Sequence, residues 1–339
     1  MNILLLQLRR IGDLILTTPA IDALREKFPD SRINLVISSE GKELAPAIAN
    51  VDRIFVVRRT LRDAIVFLAA AVRRFDYCID LTQNDRSAGL AFLSGARKRI
   101  ASYQVEKKSE RRSRVYTEFV QHRMREMHTV DYHLALLKPL GIQDVAPKLR
   151  LEIPRGAFEK ADELRRSAGI DEPFVVFHPG AARAEKVWEP DRWARVVDYV
   201  QSNRHCNVVL TGGSSPFDRE LVRQIKAKLR HPVGDLCGKT DLLALAALIS
   251  RAQMLITVDS APMHLAAAAG TPQVVLFGPT NPFHWRPRGS PVVILQGESG
   301  VPVVEFSYKQ KPASMNQIST EAVIDAMNGL LPAPAGQTV

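Results

Sequence analysis

The stretch from Met254 to Thr280, MLITVDSAPMHLAAAAGTPQVVLFGPT, leaves this chain few architectures to choose from. Leu255–Val258 is a short apolar run ending at Asp259-Ser260, two residue types that favour helix N-caps. Pro262 falls in the first helical turn, where a missing N–H does no harm. The Ala266–Ala269 run predicts a helix lying close on a sheet, Gly270-Thr271-Pro272 ends it, and Gln273–Phe277 reads as the next strand. A helix that starts at the carboxyl end of a buried strand turns its free N–H groups and positive dipole end toward the crevice where open α/β sheets bind anions. A diphosphate at Ser260-Ala261 is therefore physically reasonable, with Asp259 at the cap and His264 one turn inside.

The same alternation runs along the whole chain. The first half reads as strand Asn2–Leu8, turn Arg9–Gly12, helix Asp13–Lys27, strand Ile33–Ser38, strand Ile54–Val57, helix Leu61–Phe75 and strand Tyr77–Leu81. The second half reads as strand Phe174–His178, helix Pro190–Ser202, strand Asn207–Thr211 and helices Pro216–Leu229 and Asp241–Ser250, followed by the segment above. Alternating strands and helices predict parallel doubly wound sheets, and a length of 339 residues with 46% apolar content allows two cores. The expected division is 1–152 and 153–318, then a helix at 319–331 able to pack back on the N-terminal domain and a Pro/Ala/Gly tail at 332–339. No solenoid-length repeat is present.

Several function classes are argued against at this stage. Ile3–Leu6 is too short for a signal peptide and precedes its basic residues; Ala64–Val72 is far short of a membrane span. Cys78, Cys206 and Cys237 lack metal-ligand spacing and read as buried thiols. No Asp-x-Asp pair occurs, so no metal-assisted phosphate site is indicated. The turn after the first strand carries Gly12 but no G-x-G-x-x-G, which argues against a nicotinamide or flavin site.

The net charge of +10 is concentrated: residues 1–150 hold 26 Lys and Arg against 17 Asp and Glu, net +9, leaving 20 against 19 for the rest. The densest run contains Arg97, Lys98, Arg99, Lys107, Lys108, Arg111, Arg112 and Arg114. It reads either as a solvated, partly mobile face or as a surface for a nucleic acid, an anionic membrane or an acidic acceptor. With only Tyr103 and Tyr116 nearby and no recognition helix, nucleic acid fits least well.

Three loops carry residues suited to chemistry. Asp13 reads first as a helix cap. It reads second as a general base toward a hydroxyl, against which stands the lowering of a carboxylate pKa at a helix N-terminus. Arg183 and Lys186, on the loop after Phe174–His178, could neutralise a diphosphate leaving group. Asp218, beyond Thr211-Gly212-Gly213, could accept ribose hydroxyls.

Taken together, GDLILTTPAIDALREKFP at 12–29, FHPGAARAEKVWEPDRWARV at 177–196, VVLTGG at 208–213, VDSAPMHLAAAAGTPQVVLFGPT at 258–280 and WRP at 285–287 resemble the ADP-heptose:lipopolysaccharide heptosyltransferases. VDSAP and Phe283-His284-Trp285-Arg286-Pro287 lean to the heptosyltransferase III branch. The resemblance implies a GT-B α/β fold, two Rossmann-like doubly wound domains facing across a cleft, the C-terminal one for donor and the N-terminal one for acceptor. It implies inverting transfer of heptose from ADP-heptose to the inner core of lipopolysaccharide, with no cofactor and no metal. Asp13 would be the base and Lys186, with Arg183, would meet the diphosphate. Asp259, Ser260, Ala261 and His264 would surround the phosphates and heptose, Asp218 would meet the ribose and Thr240 the adenine. Ala181 and Ala182 stand where a relative offers hydroxyls to phosphate, and this leaves another nucleotide sugar open. A non-catalytic sugar-nucleotide binder is the rival of a different class. A phosphorylated lipid A-core acceptor at the cytoplasmic face of the inner membrane would suit the basic run 97–114, with no nucleic acid as partner.

Overall fold

The computed structural model describes residues 1–58, 75–204, 206–297 and 300–331. The helix expected at Leu61–Phe75, but for its last residue, and the tail 332–339 lie outside these described residues. The chain divides into two compact units, Met1–Glu152 and Ile153–Val339.

The first unit contains, in order, β1 (Asn2–Gln7), α1 (Ile11–Ile15), α2 (Thr18–Lys27), β2 (Arg32–Ser38), β3 (Arg53–Val57), β4 (Tyr77–Asp80), α3 (Asp85–Leu93), β5 (Lys98–Ser102), α4 (Tyr103–Lys108), α5 (Glu110–Ser113), β6 (Glu118–Val120) and α6 (Thr129–Ala135). Its six strands form one parallel sheet in the order β3-β2-β1-β4-β5-β6. β1 is central, with Ile3 opposite Ile33 on one side and Tyr77 on the other. Its run Ile3–Leu6 is fully buried, the apolar continuity that a strand covered on both faces requires.

The second unit contains α7 (Arg155–Ser167), β7 (Phe174–His178), α8 (Pro190–Arg204), β8 (Asn207–Leu210), α9 (Pro216–Lys226), β9 (Gly234–Asp235), α10 (Leu242–Arg251), β10 (Met254–Val258), α11 (Ala261–Ala269), β11 (Gln273–Phe277), α12 (Pro282–Trp285), β12 (Val292–Gln296) and α13 (Thr320–Leu330). Its parallel sheet runs β12-β11-β10-β7-β8-β9. Counted from its own first strand, this is the same order as in the first unit. In each sheet the winding reverses between two adjacent strands, β1 and β4 in one, β7 and β10 in the other. Their carboxyl ends are where open α/β sheets place ligands.

One sequence expectation is corrected by the packing. The helix expected to run from Asp13 to Lys27 is two helices, because the chain breaks at Leu16-Thr17 and restarts with Pro19 in the first turn of α2. The Thr17 hydroxyl donates to the Asp13 carbonyl at 2.8 Å and so satisfies an acceptor the break would strand. The C-terminal helix packs within the second unit. Ala322, Val323, Ala326 and Met327 of α13, spaced to form one apolar stripe, join the core of Phe177, Trp188 and Trp193 in the second unit. The Trp188 indole donates to the Ile318 carbonyl at 3.1 Å, and Asn328 Nδ2 donates to the Tyr199 hydroxyl at 2.8 Å, anchoring the approach and the far end of that helix.

Candidate active site

In the first unit the switch point lies between the ends of β1 and β4. The Leu8 N–H donates to the Thr82 hydroxyl at 2.7 Å, and an Arg9 Nη donates to the Thr82 carbonyl at 3.1 Å. Asp13 follows one turn later. It does not occupy the cap itself: Arg10 is the N-cap of α1, and Asp13 is the third helical residue, with a backbone hydrogen bond from Arg10. That is the carboxylate half of a capping box. The expected lowering of its pKa is also corrected. Burial raises the Asp13 carboxyl above the usual Asp range, and the charges of Arg9 and Arg10 and the local backbone hydrogen bonds only partly oppose it. Asp13 is therefore a better base than a solvated helix-end carboxylate.

The floor of this site is fixed by α6. Gln7 Nε2 donates to the Thr17 hydroxyl at 2.9 Å, and His133 Nδ1 lies 3.2 Å from the Leu16 carbonyl. Burial lowers His133 to about 4, so the ring is neutral at physiological pH and contributes no charge beside Asp13. Gln83 Nε2 donates to the Tyr132 hydroxyl at 2.6 Å and to the Asp80 carbonyl at 2.9 Å. Asp80 itself is fully buried, accepting from the Thr82 and Gln83 N–H groups at 2.8 Å each and from the Tyr116 hydroxyl at 2.6 Å. None of Arg9, Thr82, Gln83 and Tyr132 was singled out from sequence. Arg9 was within reach, since it lies in the same turn as Asp13, whereas Gln83 and Tyr132 meet only through the fold.

The members of the basic run differ in their partners. Lys98 pairs with Glu118 at 2.8 Å across β5 and β6. Arg99 is spent on backbone, donating to the carbonyls of Val115 at 2.5 Å and Ala96 at 2.6 Å. Arg112 donates to the Gln83 carbonyl at 2.8 Å and faces Asp85 at 3.3 Å. Arg114 pairs with Glu110 on its own helix at 2.5 Å. Lys107 lies 5.1 Å from the Tyr103 ring centroid. Arg97, Lys108 and Arg111 are exposed. Three members, Lys98, Arg99 and Arg114, are thus engaged within the β5–β6 crossover, and Arg112 ties it to the loop after β4.

In the second unit the switch point brings Lys186 and Asp259 together. Lys186 closes a 3-10 turn, Ala184–Lys186, on the loop after β7, and Asp259 follows β10. Lys186 Nζ lies 2.5 Å from Asp259 Oδ2, with the two side chains only 13% and 8% exposed. Ser260 caps α11 without a side-chain cap bond, and its hydroxyl instead donates to the Val258 carbonyl at 3.2 Å. Ala261 is the first helical residue. His264 is buried one turn in, held neutral by a pKa lowered to about 4 through burial, and among the described residues its Nδ1 has no hydrogen-bond partner. A buried polar atom left unpaired is a place for a ligand group.

Asp218 sits in the first turn of α9, accepting from the Ser215 hydroxyl at 2.6 Å. Its carboxylate is wedged against two glycines. A Cβ on Gly180 would stand 2.3 Å from Asp218 Oδ1, and one on Gly213 would stand 2.7 Å from Oδ2. The loops after β7 and β8 thus close on one acidic side chain because neither carries a Cβ there. His178, also lowered to about 4 by burial, pairs with Thr211 at 3.0 Å behind them. Thr240 is half-buried immediately before Asp241, which caps α10. Arg183 lies on the same loop as Lys186 but pairs with its near neighbour Glu185 at 2.8 Å. Among the described residues no three His, Cys, Asp or Glu side chains are grouped to hold a metal, and no helix is long and apolar enough to cross a membrane.

Known proteins resemble this chain in both sequence and fold. Residues 68–311 match the family model for glycosyltransferase family 9 (heptosyltransferase). Lipopolysaccharide heptosyltransferase 3 of Escherichia coli K12 is 29% identical, with 97% of each chain covered. A glycosyl transferase family 9 structure from Veillonella parvula superposes with a TM-score of 0.83 at 28% identity, covering 97% of this chain and 96% of that one. The E. coli ADP-heptose LPS heptosyltransferase II structure shares the fold with a TM-score of 0.79 at 20% identity, covering 97% and 98%. The two doubly wound sheets are those of a GT-B enzyme, and the chain belongs to glycosyltransferase family 9, the heptosyltransferases.

Proposed function

We propose that this enzyme transfers L-glycero-D-manno-heptose from ADP-heptose to a sugar of the phosphorylated lipopolysaccharide core, with inversion and without a metal or cofactor, at the cytoplasmic face of the inner membrane. The observation that carries the reading is the convergence of Lys186, Asp259, the unpartnered His264 Nδ1 and the start of α11 at the switch point of the second sheet. A cation, a helix N-terminus and a buried unpaired nitrogen together suit a sugar diphosphate. Asp218 would accept ribose hydroxyls, Thr240 would lie against the adenine, and Arg183 would exchange Glu185 for phosphate.

The first unit would take the acceptor. The Asp13 carboxylate accepts the proton of the acceptor hydroxyl as that oxygen attacks the anomeric carbon from the face opposite the diphosphate. The bond from anomeric carbon to phosphate oxygen breaks with its electron pair leaving on ADP, whose charge Lys186 and α11 receive. The exposed members of the basic run, Arg97, Lys107, Lys108 and Arg111, supply long-range attraction for an acidic, membrane-anchored acceptor.

Calorimetric titration with ADP, UDP, GDP and NADH, without added metal, tests the donor class; ADP alone is expected to bind. ADP-heptose with truncated core acceptors should then yield a product heavier by one heptose in the mass spectrum. Preference for UDP or GDP would keep the fold and replace the donor, and ADP-heptose binding without turnover on any core acceptor would leave a non-catalytic binder.

A further inference from the structure

Two guanidinium groups are anchored on consecutive carbonyls at the edge of the first unit's switch point. Arg9, from the turn between β1 and α1, donates to the Thr82 carbonyl at 3.1 Å, and Arg112, from α5, donates to the Gln83 carbonyl at 2.8 Å. The loop that carries both carbonyls is held hard. Gln83 adopts a left-handed backbone with φ of 59°, its amide is committed to Tyr132 and Asp80, and Asp80 holds the N–H groups of Thr82 and Gln83. A loop fixed this way aims the two arginines.

Neither guanidinium is saturated by that duty. Among the described residues the half-buried Arg9 side chain makes a single hydrogen bond, and Arg112 Nε is buried with no hydrogen bond, although Asp85 lies 3.3 Å away. Guanidinium forks match phosphate and carboxylate bidentately, so Arg9, whose charge acts directly on Asp13, offers an anion subsite next to the reacting hydroxyl, while Arg112 faces Asp85 and helps hold the loop that Arg9 leans on.

We propose that Arg9 is a specificity-determining residue that binds an anionic substituent, phosphate monoester or carboxylate, on the acceptor sugar beside the hydroxyl that Asp13 deprotonates. The inference rests on the assignment of the first unit to the acceptor. It gives Arg9 a second effect, because its charge favours the ionised form of Asp13 against burial. Among the described residues, Arg9 and Arg10 lie on Asp13's own turn, α6 brings Tyr132 and His133, both uncharged at neutral pH, and the segment Ser39–Ala47 packs through Gly41 on Leu14 with Glu40, Lys42 and Glu43 exposed.

The test is steady-state transfer by wild type, Arg9→Gln and Arg9→Lys on matched core acceptors, one pair differing by a phosphate and one by reduction of a carboxylate, across pH. For the anionic member that Arg9 reads, Arg9→Gln should raise the acceptor KM about 10- to 100-fold, the range of a charge-assisted hydrogen bond, with the donor KM unchanged. Discrimination within that pair should vanish, and the pair that responds identifies the substituent. The acidic limb of the pH profile should move to higher pH in Arg9→Gln and stay in place in Arg9→Lys, which keeps the charge but not the fork. Equal losses on anionic and neutral acceptors, equal effects on donor and acceptor, or an unmoved limb would reduce Arg9 to a strap between β1 and β4 and overturn the proposal. Absence of transfer by the wild type to every acceptor would overturn the functional reading, and this inference with it, before any variant is compared.

Discussion

A carboxylate that serves as a base must keep its charge in a place dry enough for that charge to be reactive, and Asp13 is set between these demands. Burial pushes its pKa up; Arg9, Arg10 and the local backbone hydrogen bonds pull it partway back. Asp13→Asn preserves the shape and the reach to Arg10 but removes the proton acceptor. Its kcat is expected to fall about 10²- to 10⁴-fold, the usual worth of a general base, with the ADP-heptose Kd within about twofold of wild type. A variant that turns over normally would return Asp13 to the role of helix cap. That ambiguity was legible in the sequence, since an Asp after Gly12 suits either task; the sign of its pKa was not. The helix dipole is a local property that a motif reveals, whereas the burial that outweighs it depends on Gln7, Thr17 and His133 arriving from three other elements.

The strands and helices that carry the site were legible because each has a strong local pattern: β1, β7, β10 and β11 are continuous apolar runs, and α11 is bracketed by Ser260-Pro262 and Gly270. β5, β6, β9 and β12 do not stand out as strands in the sequence, β12 because a short apolar run cannot be told from a buried helix segment by periodicity alone. β5 opens with Lys98-Arg99 and was absorbed into a charge run, and β6 and β9 have three and two residues, too few for any period. The pairing of Lys186 with Asp259 was also invisible, although both residues were named, because it depends on β7 lying beside β10. That pair carries its own prediction. Lys186→Met leaves a buried carboxylate alone and is expected to destabilise the fold by about 3 kcal/mol while weakening the donor at least tenfold. Adding Asp259→Asn should restore most of the stability, since no uncompensated charge remains, without restoring donor affinity. Recovery of both together would make the pair a structural bridge with no part in binding the diphosphate.

Across the whole molecule the charge is lopsided, net +9 in residues 1–150, but the groups that couple stability to pH are interior ones found in both units. His133 in the first unit and His178 and His264 in the second are each lowered by burial from an ordinary 6.5 to about 4. Between those values the unfolded chain binds protons that the folded chain refuses, so stability is complete above pH 6.5 and is lost as pH falls toward 4. At pH 5 each histidine contributes a loss on the order of 2 kcal/mol, and unfolding takes up about three protons at these sites together. Asp13, Asp22 and Asp80 act in the opposite sense, because burial raises all three carboxyls and the folded state then binds protons more readily than the unfolded. With His122 also lowered by burial, four histidines stand against three carboxyls and outnumber them near pH 5.5. Unfolding enthalpies measured at pH 5.5 in buffers of different ionisation heat should therefore give net proton uptake, and the Tm should fall between pH 7 and pH 5. Net proton release, or a Tm that holds or rises over that interval, would mean that the three imidazoles are not the neutral, water-excluded groups on which the geometry of both switch points depends.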